Sequence, residues 1–280
     1  MSIIEILKVI VLGIVEGFTE WLPISSTGHM LLVDEIIQLN VTKEYYSLFE
    51  VVIQLGAIMA VVVLYFRKLN PFDRGKSQNQ QMATIRLWLK IIIACVPAAV
   101  VGLLFDDWID AHLKSPWIIA IALIVYGVWF IILEDQHKYK TYSVERTSQI
   151  TGQTALYIGL FQLLSLVPGT SRSGVTIIGA MILGCSRTVA AEFTFFLGIP
   201  VMFGASLLRI VKYFVKGYSF TFPEFFYLIL GMAVAFVVSV YSIKFLMGYV
   251  KKNDFRFFGY YRIVLGVVVI AYFGVTALTG

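Results

Sequence analysis

Charge is scarce in this chain of 280 residues, since Asp, Glu, Lys and Arg together make up only 14% of it. An average soluble domain has roughly 25%. Apolar residues reach 59% and the mean hydropathy is +0.85. This composition excludes an ordinary soluble enzyme, a disordered chain and a nucleic-acid-binding protein. We therefore predict a polytopic protein embedded among membrane lipids, with its many aromatic residues in interfacial belts.

Cysteine and nucleotide-binding motifs are also scarce. The two cysteines, Cys95 and Cys185, lie in or beside apolar stretches, so buried structural thiols are predicted instead of a disulfide or metal site. Gly75-Lys76-Ser77 resembles the end of a P-loop, but Asn70 stands where the first glycine of that motif belongs. The sequence therefore does not support an NTPase.

Six apolar stretches are long enough to cross a bilayer, which takes about 20 helical residues. They are 46–66, 84–105, 116–134, 190–211, 223–247 and 257–278. Shorter apolar pieces form two further pairs, 3–37 and 151–184, each broken by a hinge rich in Pro, Ser and Gly. Paired, interrupted helices are typical of re-entrant hairpins with tips at membrane depth. We expect an all-α polytopic membrane protein with six transmembrane helices and two re-entrant helix-loop-helix hairpins.

The two hinges indicate an internal repeat within a single membrane domain. Pro23-Ile24-Ser25-Ser26-Thr27-Gly28 in the first resembles Pro168-Gly169-Thr170-Ser171-Arg172-Ser173-Gly174 in the second. The two halves, 1–135 and 150–280, each contain one hairpin and three spans. An odd number of crossings makes the second half inverted relative to the first, so an inverted-topology repeat is predicted.

Basic residues are divided unevenly between the two predicted faces. The segments on one face hold eleven Lys and Arg, against four on the other; those segments are 67–83, 135–150, 185–189 and 248–256. The basic face is predicted to be cytoplasmic. Both termini, the acidic loop over 106–115 and the opening of the first hairpin would then face the outside. The second hairpin would enter from the cytoplasm, so the two tips can meet near the midplane.

The first hinge concentrates ionisable groups at membrane depth, where each costs about 2.5–3.5 kcal/mol on insertion scales. Glu16 and Glu20 lie four residues apart and share a helical face. Three hydroxyls and an imidazole follow them, those of Ser25, Ser26, Thr27 and His29. Such a set can bind a divalent cation, activate a hydroxyl nucleophile and move a proton. The alternative is that the hydroxyls cap the next helix while the carboxylates face water.

The second hinge has the pattern of an anion-binding site. Its glycines let backbone N–H groups approach a ligand, and the helix that follows points its positive end at that ligand. Arg172 adds donors suited to phosphate oxygens, and its neighbours complete the set: Gly169, Thr170, Ser171 and Ser173. The alternative is a helix break and an N-cap, with Arg172 paired to Glu16 or Glu20. Together the hinges suggest a phosphate held between Arg172 and a carboxylate-bound cation.

Other polar residues of the apolar spans are weaker candidates. Glu50 and Glu192 occupy matching positions of the repeat. They either support the tips through hydrogen bonds or cap their helices and snorkel. Gln54 is a supporting candidate of the same kind. Arg262 is interpreted as snorkelling or lining the cavity.

Three segments carry a resemblance to a known family. EGFTEWLPISSTGH at 16–29 and PGTSRSG at 168–174 closely resemble the two signature segments of the bacterial undecaprenyl-diphosphate phosphatases, and FEVVIQLGA at 49–57 resembles a further family block. The resemblance covers the full length. It implies a hydrolase of the bacterial inner membrane that converts undecaprenyl diphosphate to undecaprenyl phosphate and inorganic phosphate, which recycles the lipid carrier for peptidoglycan. It also implies an active site open to the outer face and a need for magnesium or calcium.

For that substrate we predict phosphoryl transfer in two steps. Ser26 would attack the terminal phosphorus with Glu20 as its base, and Glu16 would help to hold the cation. Arg172 and nearby backbone N–H groups would hold the phosphate and stabilise its developing charge. His29 would protonate the leaving group or activate the hydrolytic water. In the alternative, His29 is the nucleophile and Ser26 is a phosphate ligand.

A transporter is the rival hypothesis, because inverted repeats with broken helices are also the layout of secondary carriers. Flipping of undecaprenyl phosphate in addition to hydrolysis is compatible with the same layout. The sequence leaves open which cation is used, which chain lengths are accepted and whether the protein forms a homodimer.

Overall fold

The computed structural model describes residues 2–138 and 140–279, with the backbone alone for Asp106 and Thr279. Over these residues the regular structure is helical. The α-helices are α1 (Ile3–Thr19), α2 (Ser26–Ile36), α3 (Lys43–Leu64), α4 (Phe66–Leu69), α5 (Gln78–His112), α6 (Pro116–Gln136), α7 (Gly152–Gln162), α8 (Arg172–Ile182), α9 (Arg187–Val215), α10 (Phe222–Tyr249) and α11 (Arg256–Thr279). Two 3₁₀ turns, Thr147–Gln149 and Leu163–Leu166, flank α7.

Six of these helices (α3, α5, α6, α9, α10 and α11) are long and apolar enough to cross a membrane, which confirms the six predicted spans. The chain is therefore a multi-pass membrane protein. The largest difference from prediction is at α5, which begins with a capping box formed by Ser77 and Gln80 and continues to His112. Most of the expected 106–115 loop is thus helical, because the helix extends beyond its apolar segment.

Helices of the two halves of the chain pack against each other through small residues. A Cβ on Gly17 of α1 would lie 2.6 Å from the carbonyl oxygen of Ala235 in α10. A Cβ on Gly159 of α7 would lie 2.3 Å from the carbonyl oxygen of Ala94 in α5. Such close approach of backbones is typical of helix packing in membranes. The first helix of each hairpin therefore packs on the second long span of the opposite half.

Ion pairs connect the helix ends at each end of the bundle. At the basic end they join the segments that were predicted to share one face: Lys68 with Glu192 at 2.7 Å, Arg187 with Glu134, and Arg256 with Asp135 at 2.9 Å. At the other end Arg209 of α9 pairs with Asp110 of α5 at 2.6 Å. The helix ends next to the basic segments therefore lie together at one end of the bundle, as predicted for segments that share one face.

The two hairpins open at opposite ends of the bundle. Lys8 donates to the carbonyl of Gln38 at 2.6 Å and so closes the base of the first hairpin, next to the start of α3. The base of the second hairpin lies at the basic end, where Lys90 in the first half of α5 donates to the carbonyl of Ser148. Their tips meet inside the bundle, where Ser173 Oγ donates to the carbonyl of Glu20 at 3.1 Å.

Candidate active site

Both tips turn through the same unusual backbone conformation. Ser25 has φ 73° and ψ 102°, and Ser171 has φ 69° and ψ 114°. Within the described chain they are the two non-glycine residues with positive φ. Each Oγ accepts a hydrogen bond from the N–H three residues later, that of Gly28 or Gly174, and so caps α2 or α8. Strain of this kind costs of order 1–3 kcal/mol per residue and is common at functional sites.

The carboxylate of Glu20 connects the two tips. Ser26 Oγ donates to Glu20 Oε2 at 2.8 Å, while the guanidinium of Arg172 donates to Glu20 Oε1 at 3.2 Å. The side chains of Glu20 and Arg172 are only 9% and 10% exposed, so this ion pair is poorly screened by solvent. A hydroxyl bonded to a carboxylate beside a fixed cation is an arrangement suited to nucleophilic attack on an anionic centre.

The position of Arg172 is set by α9. Its guanidinium donates to the carbonyl of Thr194 at 3.0 Å. It also lies directly over Gly198, where a Cβ would be 2.8 Å from one guanidinium nitrogen. On another side the guanidinium lies 5.8 Å from the ring centre of Trp21. These contacts hold the guanidinium of Arg172 beside Glu20 and leave this side chain little freedom to move.

A cavity of about 150 Å³ lies between the two tips and helices α3 and α9. Its polar wall comes mainly from the tips, and apolar side chains of α9 close it: Glu20, Ser26, Thr27, Ser171 and Arg172, with Gln54 of α3, face Val201 and Met202. A space of this size accommodates a phosphate group and not a polyprenyl chain. The lipid part of a substrate would therefore lie outside it.

Glu16 lies one helical turn before Glu20 and is almost completely buried. Its Oε1 atom has no hydrogen-bond partner among the described residues. The described part of the chain has no group of three or more His, Cys, Asp and Glu side chains that could hold a metal ion. Magnesium, however, is commonly bound by one or two carboxylates together with substrate phosphate oxygens and waters. Glu16 does not itself line the cavity, but its buried carboxylate oxygen without a partner, next to the carboxylate of Glu20 on the cavity wall, fits that mode of binding.

Comparison with known proteins decides the family. Residues 9–268 match the family model described as bacitracin resistance protein BacA. The chain belongs to the BacA family. A protein of Desulfitobacterium hafniense named undecaprenyl-diphosphatase is 58% identical over 283 residues, with all of both chains covered. Undecaprenyl-diphosphatase of Enterococcus faecalis is 58% identical over 96% of this chain and 98% of its own. Undecaprenyl-diphosphatase 1 of Clostridioides difficile is also 58% identical, over 97% of each chain.

His29 of this BacA-family chain lies beside the cavity without lining it. Its Nδ1 is 2.7 Å from the carbonyl oxygen of Ser25, and its Nε2 is 2.8 Å from the hydroxyl of Tyr261, on which the ring stacks. Because a carbonyl can only accept, Nδ1 carries the proton in this contact and Nε2 accepts from Tyr261. Both ring nitrogens are thus engaged away from Ser26. Tyr261 was not predicted as a site residue.

Some of the remaining predicted residues lie in the second tip, and the others lie on the long helices α3 and α9. Ser173 and Thr170 are buried in the second tip, where Ser173 Oγ bonds to the first tip and also lies 3.1 Å from Ser171 Oγ. Glu50 lies on α3 one turn before Gln54. Glu192 lies at the basic end of the bundle, paired with Lys68, and is not brought to the tips.

Arg262 of α11 was interpreted as snorkelling or lining the cavity, and both interpretations are wrong. Its side chain is completely buried, it is not part of the cavity wall, and it donates to backbone carbonyls of both tips. The one sequence signal for a buried role was the presence of an arginine in the first third of an apolar span. The sequence alone does not show whether such a side chain turns toward the interface or toward the protein interior.

Proposed function

We propose that the two tips form the catalytic centre of an undecaprenyl-diphosphatase, which hydrolyses undecaprenyl diphosphate to undecaprenyl phosphate and inorganic phosphate. Full-length similarity to proteins of that name supports the activity. The observation that carries the mechanism is the Glu20 carboxylate, which bonds the Ser26 hydroxyl on one oxygen and Arg172 on the other. A transporter that performs no hydrolysis has no need of such a serine–carboxylate pair.

In the first step Ser26 Oγ attacks the terminal phosphorus. The hydroxyl proton passes to Glu20 Oε2, 2.8 Å away, as the new O–P bond forms. The bond between that phosphorus and the bridging oxygen breaks, and undecaprenyl phosphate leaves with the bonding electrons. The result is a phosphoserine at the first tip and a protonated Glu20.

In the second step water attacks the phosphoserine. The bond from phosphorus to Ser26 Oγ breaks, and Ser26 Oγ takes back the proton that Glu20 held. Inorganic phosphate leaves with the hydroxyl of the water, and the second proton of the water is released. For His29 to assist this proton transfer, its contact with Tyr261 must first break. Of the two candidate nucleophiles, only Ser26 has a carboxylate base within hydrogen-bond distance in the resting arrangement, which favours serine over His29.

The second tip binds the phosphate. Arg172 provides a guanidinium on the cavity wall, and the first N–H groups of α8 have no intrahelical acceptors. A helix N-terminus attracts anions through these groups and through the helix dipole. Ser171 lines the same wall and adds a hydroxyl donor. Removal of one such donor typically costs about 10²–10³ in rate.

A divalent cation, magnesium or calcium, is part of this proposal. Glu16 and Glu20 would hold it, because Glu16 offers a buried oxygen with no other partner. When bound, the ion neutralises charge on the diphosphate. On the cavity wall, the positive charge that this chain itself supplies is that of Arg172.

The proposed setting is the inner membrane of a bacterium, with both termini on the outer side. Two observations support an inverted repeat of 1–135 and 150–280. The hairpins open at opposite ends of the bundle, and each hairpin's first helix packs on a long span of the other half, α1 on α10 and α7 on α5. The excess of basic residues at one end supports a cytoplasmic location for that end. The tips would then lie near the midplane, in a cavity open to the outer side.

Phosphate release from undecaprenyl diphosphate by detergent-purified protein tests the function. Wild type and Arg172→Ala are compared with a divalent cation and with EDTA. Arg256→Ala is the matched control, because Arg256 pairs with Asp135 and Asp254 at the basic end, away from the tips. We expect cation-dependent release that falls at least 100-fold in Arg172→Ala and persists in Arg256→Ala. Absence of release by folded wild type with the cation present would contradict the proposal.

A further inference from the structure

Arg262 bonds to the backbones of both tips at once. Its guanidinium donates to the carbonyl of Pro23 in the first tip at 3.3 Å. It also donates to the carbonyls of Gly169 and Thr170 in the second tip, at 3.0 and 2.8 Å. The side chain is 0% exposed. One residue of α11 therefore connects two loops whose carbonyls are more than 140 residues apart in the chain.

The charge of Arg262 has no carboxylate partner. In the described part of the chain, none of its guanidinium nitrogens lies within 4.0 Å of an Asp or Glu oxygen. This contrasts with Arg172, Arg187, Arg209 and Arg256, each of which forms an ion pair. A buried cation is costly unless it is paired and hydrogen-bonded. Backbone carbonyls satisfy its hydrogen bonds, but they leave a net positive charge behind the tips.

We infer that Arg262 is a positioning residue for the phosphatase reaction, which fixes the two tips in register and supplies buried positive charge to the bound diphosphate. This inference rests on the proposed function of the same site. Arg262 does not line the cavity, so it acts through the backbone of the tips and through its electric field.

The peptide between Thr170 and Ser171 transmits the effect. The carbonyl and N–H of a trans peptide point in opposite directions. Because Arg262 binds the Thr170 carbonyl, it turns the Ser171 N–H to the side away from itself. Ser171 is on the cavity wall and Arg262 is not, so the proposal makes this N–H one of the donors to the phosphate. Misplacement of this peptide would remove one donor to the phosphate.

Gly174 leaves the space that this guanidinium needs. A Cβ at Gly174 would lie 3.0 Å from one guanidinium nitrogen of Arg262. Gly28 occupies the same position of the first tip, and a Cβ there would lie 3.0 Å from a methyl of Leu123. A leucine methyl can move by a small rotation. The guanidinium is held by four carbonyls, three of them in the tips and one that of Leu123 in α6, so its movement weakens hydrogen bonds to the tips.

The first experiment compares Arg262→Lys and Arg262→Met with Arg256→Lys. Lysine keeps the charge but cannot reproduce the planar fork, while methionine keeps an apolar stem without charge. We measure kcat and KM for undecaprenyl diphosphate, inhibition by orthovanadate, and the melting temperature in detergent. We expect kcat to fall at least 10-fold in Arg262→Lys and further in Arg262→Met, with weaker vanadate inhibition in Arg262→Met. Arg256→Lys should retain wild-type kcat and vanadate inhibition.

The melting temperature separates positioning from mere stabilisation. A positioning role predicts that Arg262→Met loses kcat and vanadate binding while it still unfolds at or near the wild-type temperature. A structural role predicts activity that follows the melting temperature across the series. Either that correlation or wild-type kcat in a folded Arg262→Met protein would overturn the inference.

The glycine pair provides a test that keeps Arg262 itself. In Gly174→Ala the added Cβ would lie 3.0 Å from a guanidinium nitrogen of Arg262 and 3.3 Å from Ser171 Cβ, so the guanidinium must give way by a few tenths of an ångström. We expect a several-fold larger loss of kcat in Gly174→Ala than in Gly28→Ala. Equal losses would count against the inference. Failure of the proposed function is distinct, since then wild type itself would release no phosphate.

Discussion

Arg172 occupies in the second tip the position that Ser26 occupies in the first. Each directly follows the serine with positive φ, at the first position of the helix that this serine caps. The repeated backbone therefore presents a hydroxyl at one tip and a guanidinium at the other. Glu20 accepts a hydrogen bond from both. Two loops with the same backbone conformation thus supply two different components of the proposed reaction site.

Substitution of Ser26 by alanine tests the nucleophile. Because the proposed first step forms a bond to Ser26 Oγ, Ser26→Ala should lose at least about 10³-fold in kcat. Substrate labelled at the terminal phosphate should give an acid-stable, base-labile phosphoenzyme in wild type and none in Ser26→Ala. Ser206→Ala is the control, since its hydroxyl bonds only to the carbonyl of Val51 on the neighbouring helix. An acid-labile, base-stable label that persists in Ser26→Ala would assign the nucleophile to His29 instead.

Substitution of Glu16 by glutamine tests the cation site. Glutamine keeps the shape of the side chain and removes the charge that a divalent cation requires. Glu16→Gln should therefore raise the magnesium concentration for half-maximal activity at least 10-fold. Glu192→Gln is the matched control, because Glu192 pairs with Lys68 at the basic end of the bundle and is not part of the tips. An unchanged magnesium dependence in Glu16→Gln would exclude Glu16 as a ligand.

Substitution of Gly198 by alanine tests the placement of Arg172. The added Cβ would lie 2.8 Å from the guanidinium, so Arg172 must shift away from Glu20 and Thr194. We expect kcat to fall about 10-fold or more. Gly204→Ala on the same helix is the control, since a Cβ there has no atom within 4 Å. Gly204→Ala should leave kcat unchanged and stabilise the helix by up to about 1 kcal/mol.

Reporter fusions test the orientation. Alkaline phosphatase fused after residue 280 should be active, because it folds only outside the cytoplasm and the C-terminus is proposed to lie there. A fluorescent protein fused at the same position and exported unfolded should stay dark. Insertion of the two reporters into the segment 135–150 should give the opposite pattern. The reverse result at both positions would invert the proposed topology.

The spans and hairpins could be predicted because hydropathy and hinge composition are local signals. The six spans match the structure, and each hinge does interrupt a pair of short helices. The extension of α5 to His112 could not be predicted from hydropathy, since charged residues continue a helix into water as readily as they form a loop. Positive φ at Ser25 and Ser171 was also hidden, because serine gives no sign of a conformation that usually belongs to glycine.

The site itself was only partly visible. Glu20, Ser26 and Arg172 could be selected because ionisable and hydroxyl groups are rare at membrane depth. Their connection through a single carboxylate depends on how two distant hairpins meet, which no local pattern specifies. Arg262 and Tyr261 contact this region from α11, far from either motif in the sequence, and their partners are backbone carbonyls and one imidazole ring. Glu192 shows the opposite case, a matching repeat position without a place at the tips.

The Glu20–Arg172 contact spans 152 residues of chain. During synthesis the first hairpin therefore leaves the ribosome long before the second exists, and its two carboxylates then have no Arg172 opposite them. Either half expressed alone would lack a component of the reaction. Activity begins only when the late half of the chain has inserted and docked. The lipid substrate is already present in the membrane, but its hydrolysis thus cannot start on an incompletely synthesised chain.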